Sequence, residues 1–392
     1  MDSEKLELEL SLKERDRRWS RVREKMVQEG LAAALVYGNS VHIRGLPCHY
    51  LTNLPIFASD QDVLLLPVEG DPIFLISSPV HAFFGKQLSW VPAENVYQSA
   101  NLGADLARHL IALKLQKRRV GIDNPGAWPM REYMSIKELC PDIELVDVTA
   151  ELSKIRAQKS DEEIRMMEEA IRVGELAQKT FLAHLKPGVR EEEVISKVEE
   201  VVRANGVENR LWLLASTPDM PYPWLAGKKR IQKPNPVGFS SEFQRSAGYA
   251  CQVIRTYCWE EPKGDYKRMW EVWEELRDLV PREFRPGRLI TDVAIRVEAL
   301  VRKRGFDCNG LGHGLGLTYF ETPGISPRPQ ERGGGYVEWT IMPNEVYVFH
   351  PMIRSKGGAG PLAWEGDMYL VGEESTRWMT PFLPGLPEMI PG

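Results

Sequence analysis

Three short stretches late in the chain gather residue types that do acid–base or metal chemistry. GLGHGLGLTYFETPG (310–324) sets His313 among alternating glycines, with Glu321 eight residues further on. PNEVYVFHPMIRS (343–355) reads as a turn and a buried strand that delivers His350 to its end. AWEGDMYLV (363–371) reads as a strand with Glu365 and Asp367 at its head. Histidine titrates near neutral pH, so His350 is a candidate base, with Glu321 or Glu365 to orient it or supply a proton. His313 is placed to polarise a carbonyl or hold a substrate group. The same residue types also ligate metals, which leaves a single ion held by His313, His350 and Glu365 as an alternative.

The glycines themselves do not make a phosphate loop. A dinucleotide fingerprint needs GxGxxG between a strand and a helix, early in a βαβ unit. Here the spacing is GxGxGxG, it falls late, and LGLTYF beyond it reads as strand. Alternating glycines in extended backbone instead permit close approach or a bulge. Around this constellation, Arg255 and Arg354 are candidate carboxylate clamps. Gln252 is a candidate substrate contact, and Tyr222, Trp224, Tyr249, Tyr319 and Phe320 offer aromatic walls for a small organic molecule.

The elements that must position these residues fall into two parts. In the first third, an amphipathic pattern over 11–29 (Trp19, Val22, Met26, Val27) ends at Gly30, and LAAALVYG (31–38) reads as a buried strand. DVLLLPVEGDPIFLISS (62–78) reads as a hairpin, and helices at 104–116 and 129–139 alternate with strands at 118–123 and 143–148. Such alternation predicts a compact α/β domain. Near 150–160 the character changes. Ser160, with Glu163 three residues on, predicts a capping box opening a long helix. Further helices are expected over 190–206, 265–280 and 290–304, and the last ninety residues are strands and loops. The expected division is an N-terminal α/β domain over 1–153 and an α+β domain over 154–392.

Composition narrows the function. At 392 residues the chain is long enough for two or three domains, and a net charge of −5 without a Lys/Arg tract argues against nucleic acid or an anionic membrane as partner. No apolar run approaches a membrane span, and the charged N-terminus is unlike a signal peptide, so a cytoplasmic location is expected. Five cysteines without CxxC spacing suggest neither a disulfide framework nor a structural zinc site.

Five ordered segments carry a family resemblance: GYACQVIRT (248–256), HGLG (313–316), ETP (321–323), PNEVYVFHP (343–351) and EGDMYLV (365–371). Together they resemble the pita-bread family of methionine aminopeptidase, aminopeptidase P, prolidase and the metal-free creatinase. The N-terminal part resembles the creatinase/prolidase arrangement, so the implied fold is an α/β domain followed by a curved antiparallel sheet covered by helices. The family's peptidases hold two divalent cations with two Asp, one His and two Glu. At the matching positions this sequence has Gln252 for the second Asp and His350 for the first Glu. The usual spacing puts the first Asp on Ser241, with Glu242 beside it. The last Glu falls on Gly366, or on Glu365 with one inserted residue. Only His313 is retained.

The resemblance therefore implies a metal-independent, creatinase-like enzyme without cofactor that hydrolyses a C–N bond in a small polar or aromatic metabolite. Elimination on the same fold, a mononuclear metal-dependent hydrolase and a non-catalytic binding module are the alternatives. The histidine that creatinase carries before the first site strand has no counterpart, because no His lies between His184 and His313. A homodimer is also implied, with the partner's N-terminal domain near the active site. His42, His49 and Tyr50 lie in the stretch that could reach across.

Overall fold

The computed structural model describes residues 10–39, 47–54, 60–217, 222–245, 248–328, 330–332, 335–358 and 360–390. The chain divides into two compact units. One spans Met1–Arg156 with Glu331–Gly335, the other Ala157–Gln330 with Tyr336–Gly392.

In the first unit, the helix Leu12–Gln28 is opened by Ser11, whose side chain accepts from the Glu14 amide. It buries Trp19, Val22 and Met26, while Val27 faces solvent. A six-stranded mixed sheet runs in the order Val96–Gln98, Ile73–Ile76, Gln61–Pro67, Ala33–Asn39, Arg119–Ile122, Glu144–Asp147. The expected hairpin is its antiparallel pair, Asp62 opposite Ile76. The strand Ala33–Asn39 is buried at almost every position because helices cover both faces of the sheet. Leu106 and Leu110 of the helix Leu102–Ala112, and Ile136 of Met130–Leu139, close one side. His49 and Tyr50 do not project. Both are buried, the Arg18 guanidinium lies 4.2 Å over the Tyr50 ring, and burial pushes His49 down to about 3. His42 lies outside the described residues.

The second unit is the α+β domain expected from sequence. Ser160 and Glu163 form the capping box of the helix Asp161–His184. This helix and Glu191–Ala204 pack on a five-stranded sheet whose central strands, Val207–Ala215, Val237–Arg245 and Ala250–Cys258, are antiparallel, while the edge strand Glu388–Met389 runs parallel to Ala250–Cys258. A second five-stranded sheet has Gly312–Gly314, Val346–Phe349 and Asp367–Val371 at its centre. Its core joins Tyr347, Phe349 and Tyr369 to Trp273 and Val280 of the helix Gly264–Glu283 and Val297 of Ile290–Lys303. The two sheets meet where Ile254 and Gly366 exchange backbone hydrogen bonds, 3.1 Å each way. Helices thus cover the outer faces of joined, largely antiparallel sheets, which is the pita-bread arrangement. No described helix is long and apolar enough to cross a membrane.

One local expectation fails. Residues 316–320 form bends rather than a strand, because beyond the Leu315 amide, which still donates to the Val346 carbonyl at 2.9 Å, local bonds replace the ladder. The Leu317 amide donates to Glu321 Oε1 at 2.9 Å, and Thr318 Oγ1 bonds the Phe320 carbonyl at 3.0 Å.

Candidate active site

Strand alternation decides which side chains share the site. Val237–Arg245 and Ala250–Cys258 pair so that Gln252 stands opposite Glu242 and Ile254 opposite Ser240. Residues of this parity face the second sheet: Gln244 Nε2 donates to the Leu317 carbonyl, and Ile254 bridges Gly366. The opposite parity faces the helix Asp161–His184. There Ser241 Oγ accepts from Gln178 Nε2 (3.0 Å), and Tyr249 Oη donates to Glu163 (2.8 Å).

Two groups border the site face: His313 with Phe320 and His350, and Glu242 with Gln252 and Tyr319. His313 sits in the strand Gly312–Gly314. Gly312 has φ +132°, and a side chain there would collide with the Val348 carbonyl, so only glycine lets this strand lie so close. His313 Nδ1 donates to the Gly314 carbonyl at 3.0 Å, which holds the orientation of the ring. Phe320 stacks on the imidazole at 4.1 Å between centroids, and the His350 ring meets it edge-on at 5.2 Å.

His350 ends the strand Val346–Phe349. Both its ring nitrogens are shielded from solvent without a hydrogen-bond partner, and burial pushes it down to about 4. It is a neutral imidazole, the backbone of His350 itself and of Gly310 beside the ring only partly offsetting the effect of burial. Glu242 moves the other way. Burial pushes it up to about 7, only partly offset by the Ser240 hydroxyl donating at 2.8 Å. Tyr319 is close by; burial, and secondly Glu242, push its phenol up to about 12. The carbonyl oxygen of Gln252 is buried and unpartnered.

Four of the residues expected in the site are employed elsewhere. Arg255 is fully buried and saturated: Nη1 reaches Glu365 at 3.0 Å and the Gly366 carbonyl at 3.0 Å, and Nη2 reaches Asp367 and the carbonyls of Thr380 and Phe382 at 2.9 Å each. It is a structural pin between the sheets. Glu365, which burial pushes up to about 8, belongs to that pin and not to the His350 surroundings. The bridge to Ile254 sends Gly366 to the His350 side and its neighbours Glu365 and Asp367 to the Arg255 side. Accordingly, a Cβ on Gly366 would lie 3.0 Å from His350 Cβ. Glu321 spends both oxygens, one on the Leu317 amide and one on the buried Lys159 ammonium at 3.3 Å, so it braces the loop that carries Phe320. Tyr249 belongs to the helix interface. Trp224 is exposed on the short edge strand Trp224–Leu225.

A family model for metallopeptidase family M24 matches residues 165–373, and one for the creatinase/prolidase N-terminal domain matches 18–158. The chain belongs to family M24. It is 24% identical to a creatinase from Bacillus sp. over 402 residues, covering 97% of this chain and 93% of that protein. It is 28% identical to the uncharacterized peptidase YqhT of Bacillus subtilis over 204 residues, which is 50% of this chain and 57% of that one. Among solved structures, the prolidase of Pyrococcus horikoshii superposes with a TM-score of 0.75 at 19% identity, covering 93% of this chain and 97% of that one. An X-Pro aminopeptidase from Thermotoga maritima gives 0.78 at 18%, covering 95% and 98%.

The residues present do not fit the two-cation site that the family implies. Two divalent ions need several anionic oxygens to balance their charge. Among the described residues the site face offers one carboxylate, Glu242, beside an amide, two imidazoles and Gly366. Among the described residues no group of three or more His, Cys, Asp or Glu is placed to hold a metal ion.

Proposed function

We propose that the chain is a hydrolase of C–N bonds in small metabolites, working by acid–base chemistry of Glu242 and His350 without a metal. The observation that carries this is the pairing of opposite environments on one face: a carboxyl raised to about 7 and an unpartnered imidazole lowered to about 4. Two titratable groups pushed apart in this way divide the roles of acid and base. Support for metal independence comes from the donor set, and support for a hydrolase from the family.

In the proposed reaction the neutral His350 takes a proton from water as its oxygen attacks the carbon of the C–N bond. Protonated Glu242 gives its proton to the departing nitrogen as the bond breaks. Gln252 donates its amide hydrogens to the oxygen that gains charge at that carbon. His313 and Phe320 form a flat wall beside it. The proton then passes from His350 back to Glu242 through the incoming water, which restores both groups.

A metabolite screen for C–N hydrolysis on wild type, Glu242→Gln and His350→Asn tests this. Turnover by the wild type that both variants lose is the expected result. Unchanged turnover in either folded variant removes that residue from the chemistry.

A further inference from the structure

Beyond His350 the same face continues along the chain. Val348, His350, Met352 and Arg354 alternate with Phe349 and Ile353, which enter the core under the helices. Met352 packs against Ile254 and Trp364, and Ile254 borders His350 through Gly366. Arg354 is the next residue of this row.

Its guanidinium is in an unusual position. Arg255 has Glu365 and Asp367, Arg245 has Glu169 at 2.6 Å, and Arg277 has Asp367 at 3.5 Å. Among the described residues Arg354 makes no ion pair with a carboxylate, and its Nε and Nη2 are shielded from solvent without a hydrogen-bond partner. Asp307 stands directly across the strand pair but is exposed and makes no ion pair with it. The guanidinium carbon lies 4.8 Å over the Tyr222 ring, whose hydroxyl accepts from Asn309 Nδ2 at 3.4 Å. A stacked guanidinium with free edge hydrogens is pre-organised for a planar anion, which it takes through two parallel N–H bonds.

We propose that Arg354 and Tyr222 form a carboxylate subsite for the substrate of the reaction proposed above, taking an acid group several bonds away from the cleaved C–N bond. The spacing sets the length: four residues of extended chain put His350 and Arg354 about 13 Å apart. A ligand with its acid on the carbon next to the reacting nitrogen is too short to reach both. An aromatic or similarly extended spacer fits, with Tyr222 beside its acid end. Burial pulls the Arg354 charge below its ordinary stability, and a bound carboxylate relieves that.

The subsite rests on the proposed hydrolysis for its meaning, but binding tests it separately from turnover. Calorimetry on the full chain would use a panel of N-acylated aminobenzoates, each matched with its neutral benzamide, and N-acetylglycine as the short acid. Wild type and His350→Asn are expected to prefer the long acids by roughly tenfold or more over the amides. Arg354→Gln loses that preference, and Arg354→Lys loses most of it while keeping the charge, which covers the case of a poorly folded Gln variant. Equal affinity for every acid and amide, no binding of any acid, or a preference surviving in Arg354→Gln overturns the subsite. Loss of turnover without loss of acid preference in His350→Asn separates failure of the chemistry from failure of the subsite.

Discussion

Glu242 and Gln252 stand directly opposite each other across an antiparallel strand pair, on the face that leads through Ile254 to Gly366 and His350. Side chains so placed have Cβ atoms about 5 Å apart, close enough to hold one small group between them. The proposed acid is therefore set by a strand register, a rigid support.

If Glu242 is the proton donor, Glu242→Gln keeps shape and hydrogen bonding while removing the proton. With a substrate from the metabolite screen, kcat is expected to fall about 10²–10⁴-fold, with KM little changed. For wild type, activity needs His350 neutral and Glu242 protonated, so kcat/KM is high between about pH 4 and pH 7 and falls above about 7. A rate that rises steadily through pH 8 would count against this assignment.

The same two groups have opposite effects on stability. Glu242 keeps its proton in the fold up to about 7 but loses it in the unfolded chain near 4.5. Its contribution is therefore full below 4.5 and lost as pH rises to 7, by up to about 3 kcal/mol. His350 is neutral in the fold down to about 4 but protonates near 6.5 when unfolded, so its stabilisation is lost as pH falls between those values. The slopes oppose each other in wild type. Denaturant titrations should show Glu242→Gln gaining stability from pH 4 to 6.5 and His350→Asn losing it from pH 4.5 to 7. Parallel pH curves for the two variants would contradict the shifts.

Arg255 pins the sheets together from the other side of the bridge. Arg255→Met leaves Asp367 buried against an apolar side chain and is expected to cost about 3–5 kcal/mol in chemical unfolding. Adding Asp367→Asn recovers part of that loss. A variant as stable as wild type but weaker in substrate affinity would restore Arg255 to the binding site.

Gly366 is the site-facing partner of Ile254, with no room for a Cβ against Ile254 Cδ1 and His350. Gly366→Ala should cost about 1–3 kcal/mol. Ile254→Val, which removes the conflicting methyl, should recover much of this in the double variant. Additive losses in thermal melts would show that the two positions do not touch.

Much of the domain plan was legible in sequence, because capping residues and apolar periodicity are local signals, as at Ser160–Glu163. His313, His350 and Phe320, picked out by residue type and order, lie together in the structure. What failed was single-residue register. Counting the usual spacing back from Gln252 gives Ser241, but the hairpin pairs Gln252 with Glu242. A shift of one residue sends a side chain to the opposite face, so Ser241 binds the helix residue Gln178 and Glu242 enters the site. The same parity separates Gly366 from Glu365. Arg255, Tyr249 and Glu321 looked available because a sequence does not show which partners have already used a polar group; their partners Asp367, Glu163 and Lys159 lie 112, 86 and 162 residues away.

The central claim is that Glu242 and His350 work without the metal pair of the family. Elemental analysis of the purified protein, with hydrolysis measured before and after exhaustive chelation, tests it most directly. The expected result is a metal content far below one ion per chain and turnover unchanged by chelation. One or two tightly held divalent ions per chain, with activity lost on their removal and restored by adding them back, would contradict it.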